Sequence, residues 1–215
     1  MKKIVAMLTL VLIIPITGYS QTETTTYDEI APLSEGLTAV RKGNQWGFID
    51  QEAKLVIDFR DDLVWNKNAD TNVPGVLGIR YPEFKNGRCM IEELKEDNIP
   101  YYGFIDKSGK VVIKPEYLNI TQFEFDQELA IGIYVRETFQ GRNEIKMNVI
   151  EYIFTEVVVN TAGEIIWPIG EREHILTAKR RYEIPELRAK LISKNLLAVK
   201  TKENTWEVKK ISLNL

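Results

Sequence analysis

The one histidine of this 215-residue chain, His174, closely follows two glutamates, Glu171 and Glu173. An imidazole beside a carboxylate could serve as a general base for a nucleophile or contribute to a metal site. The other parts of either site are missing, because the sequence has no G-x-S-x-G turn and zinc sites use several His or Cys ligands. We therefore expect a surface histidine, with no catalytic residue, no metal site and no cofactor.

Two pairs of adjacent acids, Asp61-Asp62 and Glu92-Glu93, could supply the two carboxyl groups with which a glycosidase flanks a sugar. Adjacent side chains on a strand point to opposite faces, so neither pair suits one cleft. We expect solvated strand edges and no enzyme, and keep a carbohydrate hydrolase or carbohydrate-binding protein as an alternative. The single cysteine, Cys89, is expected to be a small buried apolar residue.

Four aromatic residues, Trp65, Tyr81, Tyr101 and Tyr117, are the candidates for a binding surface. Rings with a polar group can recognise a peptide or a sugar. Core packing is the preferred interpretation, since large aromatic side chains are mostly buried. The basic run AKRR (178–181) is too short to indicate nucleic-acid binding in a chain whose formal net charge is −3.

The elements that must position these residues repeat along the chain. The segment QWGFIDQEAKLVIDF in a first copy (about 33–59) returns as YYGFIDKSGKVVIKPEY in a second copy (about 84–117). A weaker third copy covers about 125–169, and a partial one covers 196–213. A period of about 50 residues is typical of repeat architectures, in which each unit is covered by its neighbour.

The turns inside each copy have their own chemistry. Asp50 and Asp106 can accept hydrogen bonds from backbone N–H groups two residues later, and Gly109 can adopt the positive φ that such loops require. The third copy keeps this pattern in NTAG (160–163). In the first copy Ala53 replaces the glycine, so we expect a locally altered turn there.

The aromatic–glycine pairs predict how the copies pack. Trp46 and Tyr102 supply a large ring, and Gly47 and Gly103 let another strand approach closely. These copies resemble the WG-repeat family of bacterial β-rich proteins. The matching residues are Trp46, Gly47, Phe48, Asp50, Tyr102, Gly103, Phe104, Asp106, Gly109 and Pro115. The resemblance implies a repetitive antiparallel β protein, often exported, and it carries over no catalytic residue.

Three segments depart from the repeats. The long connection 60–84 is predicted to hold one short strand from Val76 to Tyr81, and 134–159 is predicted to be an extended hairpin around QGRN. The segment IPELRAKLISKN (184–195) is predicted to be a short helix, because Leu187 and Leu191 have i,i+4 spacing.

The first twenty residues have the pattern of a secretory signal peptide: a basic start, an apolar run and small residues before Gln21. The apolar run, Ile4 to Thr17, is shorter than the ~20 residues that span a bilayer. We therefore predict residues 1–20 as a signal peptide, 21–31 as a flexible N-terminal segment and 32–215 as the β domain. This arrangement predicts a periplasmic or extracellular protein without a stable membrane span.

Taken together, the sequence predicts an all-β fold of antiparallel hairpin repeats, stacked as an open or twisted array with one short C-terminal helix; a propeller-like ring is the alternative. The functional hypothesis is an exported, non-catalytic module that binds another protein or a cell-envelope component and no nucleic acid. Its contact surface would lie on repeat faces or on the long insertions. A purely structural spacer is a further alternative.

Overall fold

A computed structural model describes residues 25–124, 128–177 and 183–211 of the chain, and over these residues it contains thirteen strands and two short 3-10 turns. The expected signal peptide (1–20) and the basic run AKRR (178–181) lie outside the described residues. The strands are β1 Glu29–Ser34, β2 Leu37–Lys42, β3 Gln45–Ile49, β4 Leu55–Arg60, β5 Cys89–Leu94, β6 Pro100–Ile105, β7 Val111–Ile120, β8 Leu129–Arg142, β9 Asn148–Asn160, β10 Ile165–Thr177, β11 Ala189–Ser193, β12 Leu196–Lys200 and β13 Trp206–Lys210. The 3-10 turns are Val76–Gly78 and Glu96–Asn98.

All strand pairs are antiparallel and form three sheets, in the orders β1-β2-β3-β4, β10-β9-β8-β7-β6-β5 and β11-β12-β13. We group the strands into unit 1 (β1–β4), unit 2 (β5–β7), unit 3 (β8–β10) and unit 4 (β11–β13). Each sheet keeps two edge strands, so the expected all-β antiparallel array is confirmed as an open arrangement. Among the described residues, no helix is both long and apolar enough to cross a lipid bilayer.

The units stack through two opposite faces. Directly opposed residues of an antiparallel pair point to the same side, so Ala39 and Phe48 share one face, which we call the A face, while Val40 and Gly47 lie on the other, the B face. The A face of unit 1 also carries Trp46. These A-face side chains form one buried cluster with residues of the B face of unit 2, namely Cys89, Ile91 and Ile105.

The same packing recurs at the next two junctions. One buried cluster joins the A face of unit 2 to the B face of unit 3 through Met90, Tyr102, Phe104, Ala130, Val157 and Val159. Another joins the A face of unit 3 to the B face of unit 4 through Ile131, Val158, Ala189 and Leu197. The A face of each of these three units is therefore covered by the B face of the next.

The last strand of a unit leads into the next unit. The first half of β7 pairs with β6, and its second half pairs with β8 of unit 3. After β4, Leu63 forms a bridge with Ile91 of unit 2, and the Val64 N–H donates to the Met90 carbonyl at 3.2 Å. Each unit is thus hydrogen-bonded to its successor as well as packed on it.

Close backbone approach explains the glycine of the aromatic–glycine pair. A Cβ on Gly103 would lie 2.3 Å from the Ile113 carbonyl oxygen, and a Cβ on Gly47 would lie 2.9 Å from that of Ile57. In both units the neighbouring strand bulges opposite the glycine, and Pro115 occupies the bulge of β7. A proline is tolerated there because a bulge interrupts the ladder of hydrogen bonds.

Six five-residue turns share one backbone pattern, in which the first N–H donates to the fifth carbonyl and the fourth N–H donates to the first carbonyl. They span 50–54, 95–99, 106–110, 143–147, 160–164 and 201–205. The Asp50 carboxylate accepts from the Glu52 and Lys54 N–H groups, as the Asn160 amide oxygen does from Ala162 and Glu164.

The expectation of an altered turn at Ala53 is wrong. Ala53 has a φ of 60° and keeps both backbone hydrogen bonds that Gly109 makes in unit 2. The two hydrogen bonds to the Asp50 carboxylate hold the turn, so the alanine is forced into the left-handed region at a cost of about 1 kcal/mol or more.

The expectation of a C-terminal helix is also wrong. Residues 189–193 form β11, in which Ala189 pairs with Val199 and Leu191 pairs with Leu197. Ala189 and Leu191 alternate with exposed Lys190 and Ile192, which is the period of a strand. The i,i+4 spacing of Leu187 and Leu191 is compatible with either structure, and pairing with β12 decides for the strand.

Two further expectations concern the insertions. The predicted strand from Val76 to Tyr81 is wrong: Val76–Gly78 is a 3-10 turn, and the backbone beyond it is not paired as a strand. The extended hairpin is confirmed as β8 and β9. Its turn spans 143–147 and begins at the last residue of QGRN. Strand β1 begins at Glu29, inside the N-terminal segment that was expected to be flexible.

The third copy replaces the aromatic–glycine pair with Glu156-Val157, and Glu156 is fully buried. Its carboxylate oxygen Oε1 accepts hydrogen bonds from the backbone N–H groups of Arg188 and Ala189, both at 2.9 Å. A buried carboxylate is tolerated when it is hydrogen-bonded. At this junction a polar contact to the start of unit 4 takes the place of a ring.

The glycines opposite the bulges give the first prediction. Gly103→Ala should lower the free energy of unfolding by about 2 kcal/mol, because its methyl group would overlap backbone atoms that cannot rotate away. Gly47→Ala should lower the free energy of unfolding by less, since a Cβ at Gly47 would lie farther from the nearest backbone atom. Urea denaturation of both variants measures the difference. Equal stability of Gly103→Ala and the parent would contradict the close-approach argument.

The Ala53 turn gives the second prediction. Ala53→Gly should stabilise the protein by about 0.5–1 kcal/mol, because relief of left-handed strain exceeds the entropy that glycine adds to the unfolded chain. The matched reverse change, Gly109→Ala, should destabilise it by a similar amount, since Gly109 has a φ of 82°. Thermal unfolding followed by circular dichroism tests both, and a destabilised Ala53→Gly variant would refute the assignment of strain.

Candidate binding groove

A groove of about 480 Å³ that combines charged and aromatic side chains lies between the connection 60–84 and the segment that follows β7. Its polar lining includes Arg80, Tyr81, Glu83, Lys85, Gln122 and Glu124. Ala31 and Pro32 of β1 complete one wall. A volume of this size falls in the range of small-ligand and peptide-anchor pockets, about 300–1,000 Å³.

The connection that forms the groove is held to the body of the protein. The Asn66 N–H donates to the Ile79 carbonyl at 2.8 Å, which closes the loop, and the Ile79 side chain is buried in the junction between units 2 and 3. The N–H of Val76 donates to the Asn119 side chain at 3.4 Å. Gly75 lies against Asn119, where a Cβ would approach the amide oxygen to 2.4 Å.

Arg80 is the most distinctive side chain of the groove. Its Nη2 donates to Glu29 Oε1 at 2.9 Å, and its guanidinium lies 4.4 Å from the centroid of the Tyr81 ring. Its Nη1 is buried and has no hydrogen-bond partner among the described residues. A guanidinium has five N–H donors in a fixed fork, so Arg80 retains donors for an acceptor oxygen that enters from the groove.

The rim opposite Arg80 is held by polar contacts. Lys85 Nζ donates to Gln122 Oε1 at 2.7 Å and forms an ion pair with Glu83 at 2.9 Å. Glu124 lies on the same side. The groove therefore holds charges of both signs, and its unpaired donor at Arg80 favours a ligand with a carboxylate or a backbone carbonyl.

The four aromatic candidates form two separate pairs, because Trp65 and Tyr81 both pack on Trp46, whereas Tyr101 and Tyr117 contribute to another depression. Tyr81 lines the groove. Trp65 packs edge-on against buried Trp46, with ring centroids 5.4 Å apart, in the junction between units 1 and 2. Tyr101 and Tyr117 are buried and reach only the margin of a separate, more open depression that also includes Tyr134.

The first pair of acids is part of the surface. Asp62 receives two hydrogen bonds from the Arg60 guanidinium, the longer at 2.6 Å, while Asp61 is exposed. Arg60 also donates to the Gly109 carbonyl at 3.0 Å, so Asp62 orients a side chain that links unit 1 to unit 2. The structure therefore gives Asp62 a positioning role in the stack.

The two residues of the second pair of acids, Glu92 and Glu93, have different surroundings. Glu92 lies opposite Tyr102, and Glu93 is exposed near the end of β5. Burial, with a further contribution from Glu92, raises the pKa of the Tyr102 hydroxyl. Neither glutamate lines the groove.

His174 is exposed, whereas Cys89 is buried. His174 Nδ1 lies 3.2 Å from Glu151 Oε1 on an exposed part of β10. Cys89 is buried in the junction between units 1 and 2, and burial raises the pKa of its thiol, which keeps it protonated at neutral pH. Among the described residues, no group of three His, Cys, Asp or Glu side chains is arranged to hold a metal ion.

Sequence reasoning identified Tyr81 and the connection 60–84 but missed Arg80, Lys85 and Gln122. The length of the connection is a signal, since long loops within compact domains are often functional. No spacing rule marks Arg80 itself, because its partner Glu29 lies far away in the sequence.

Comparison with known proteins gives one family match. The family model of the WG containing repeat matches residues 25–46, which end in β3 of unit 1, and residues 102–131, which run from unit 2 into unit 3. No curated protein and no solved structure matches the chain. The WG containing repeat is thus found in two stretches of the chain, and both lie largely within its antiparallel β units.

Proposed function

We propose that this protein is an exported, non-catalytic repeat protein that binds another protein or a cell-envelope component. Its contact surface is the groove beside the connection 60–84, and the favoured ligand is an extended segment of the partner that presents a carboxylate or carbonyl oxygen. Export is supported by the apolar leader that precedes Gln21.

The buried donor of Arg80 is the observation that carries the binding proposal. Leaving a buried donor without an acceptor costs about 1–3 kcal/mol, and more when the group is charged. Arg80 Nη1 is such a donor among the described residues, and it belongs to a side chain that lines an open groove. Because Nη1 itself is closed to solvent, a partner's acceptor recovers that free energy when the Arg80 side chain, which is 26% exposed, turns Nη1 toward the groove on binding.

The alternative of a carbohydrate hydrolase receives no such support. The acids proposed for it, Glu92 and Glu93, lie away from the groove, with Glu92 opposite a tyrosine. The spacer alternative rested on a terminal helix that would close the array. Residues 184–211 instead contribute Ala189, Leu197 and Ile211 to a buried cluster.

Export gives the third prediction. When the full chain is expressed in a bacterial host that has a periplasm, the soluble product should begin close to Gln21, because small Gly18 and Ser20 lie three and one residues before that point. Intact-mass measurement of the fractionated cells tests this. A product that keeps residues 1–20, in the membrane or in the cytoplasm, would refute export by signal cleavage.

Binding gives the fourth prediction. The protein, immobilised and exposed to a detergent extract of the cell envelope, should enrich a specific partner, and the purified partner should then bind in direct titration. Arg80→Gln should weaken that binding by about tenfold, because it removes charge from the donor and so forfeits roughly 1.4 kcal/mol.

The matched control for Arg80→Gln is Arg136→Gln, which removes an exposed charge on β8 outside the groove. The control should bind the partner as the parent does. Binding that is equally strong in Arg80→Gln would remove the groove from the proposal. The absence of any specific partner would refute the proposed function.

A further inference from the structure

The A face of unit 4 has the same construction as the A face of unit 1, but no unit among the described residues covers it. Lys200 and Ala198 pair with Trp206 and Val208, in the register by which Arg41 and Ala39 pair with Trp46 and Phe48. Trp46 and Phe48 are each 1% exposed, whereas Trp206 is 49% and Val208 is 62% exposed.

The B face of unit 1, at the other end of the described array, carries exposed apolar side chains around Val40, which is itself buried. Ile30 and Leu33 of β1 pair with Val40 and Thr38, so they lie on the B face, where they are 61% and 57% exposed. Leu55 of β4 pairs with Ile49 on the same face and is also exposed. Over the residues that the structure describes, units 2, 3 and 4 have no strand that corresponds to β1, and their central B-face residues, such as Ile91, Val157 and Leu197, are buried in the junctions.

The two terminal units, counted whole, carry opposite net charge. Residues 28–62, which comprise unit 1, hold eight Asp and Glu against four Lys and Arg, a formal net charge of −4. Residues 183–211, which comprise unit 4, hold seven Lys and Arg against four Asp and Glu, a net charge of +3. Opposite charge accelerates the encounter of two surfaces and fixes which surfaces meet.

We propose that the A face of unit 4 in one copy of this chain binds the B face of unit 1 in a second copy. The occupant is a second copy because one chain offers both surfaces. The same A-on-B contact already packs the three junctions inside the molecule. The contact is head-to-tail, so it leaves one free end of each kind and extends into longer chains. This inference is independent of the groove.

The inference makes the fifth prediction, which uses the protein beginning at Gln21, a chain that keeps every described residue. Its weight-average mass, measured by light scattering or sedimentation from about 1 to 500 µM, should rise continuously with concentration rather than stop at a dimer. Trp206→Asp, which blocks the A end, and Leu33→Lys, which blocks the B end, should each remain monomeric.

An equal mixture of the two variants separates head-to-tail contact from every symmetric arrangement. Trp206→Asp retains an intact B end and Leu33→Lys retains an intact A end, so the mixture should form a one-to-one dimer and grow no further. An interface that used one of these faces twice would instead let one of the variants dimerise alone, and this result would overturn the proposal.

The matched control is Phe139→Asp, which adds the same charge at an equally exposed apolar residue of β8, away from both ends. It should associate as the parent does. Val208→Asp and Ile30→Lys repeat the test at neighbouring positions if either first variant fails to fold by circular dichroism. A parent protein that stays monomeric over the whole concentration range would refute the inference.

Discussion

Burial of the A face of each unit by the B face of the next is the interaction on which the rest of the fold depends. A tryptophan such as Trp46 buries about 150–250 Å², which contributes roughly 4 kcal/mol or more. No single unit can obtain this stabilisation alone, because one sheet of three or four strands leaves a face in water. Stability therefore resides in the junctions, as in other repeat proteins, and each junction requires its two neighbours.

The junctions also explain where the other features lie. Gly47 and Gly103 are needed because the neighbouring strand bulges toward them. The turn glycines Gly109 and Gly163 pack on Ile57 and Ile113 of the preceding unit. The groove forms beside the long connection, which is anchored through Ile79 in the junction between units 2 and 3. A rigid stack thus supports a loop that holds Arg80 in place.

Local chemistry predicted what depends on a few neighbouring residues. The turns at Asp50, Asp106 and Asn160 were predictable because one side-chain oxygen and one residue of positive φ define them. The outcome at Ala53 was not, because the turn's hydrogen bonds outweigh the strain of one alanine. The C-terminal segment was misread because its apolar spacing suits a helix or a strand, and only pairing with β12 resolves the choice.

The sequence by itself determined that this chain is built from repeated antiparallel β units, because alternation, turn residues and the aromatic–glycine pairs are encoded within short stretches. The tertiary structure decided which faces are covered, that Glu156 replaces a ring at the third junction, and that Arg80 meets Glu29 beside an open groove. These contacts join residues from distant parts of the chain. They form only when the units stack on one another, and that stacking depends on where the strands bend.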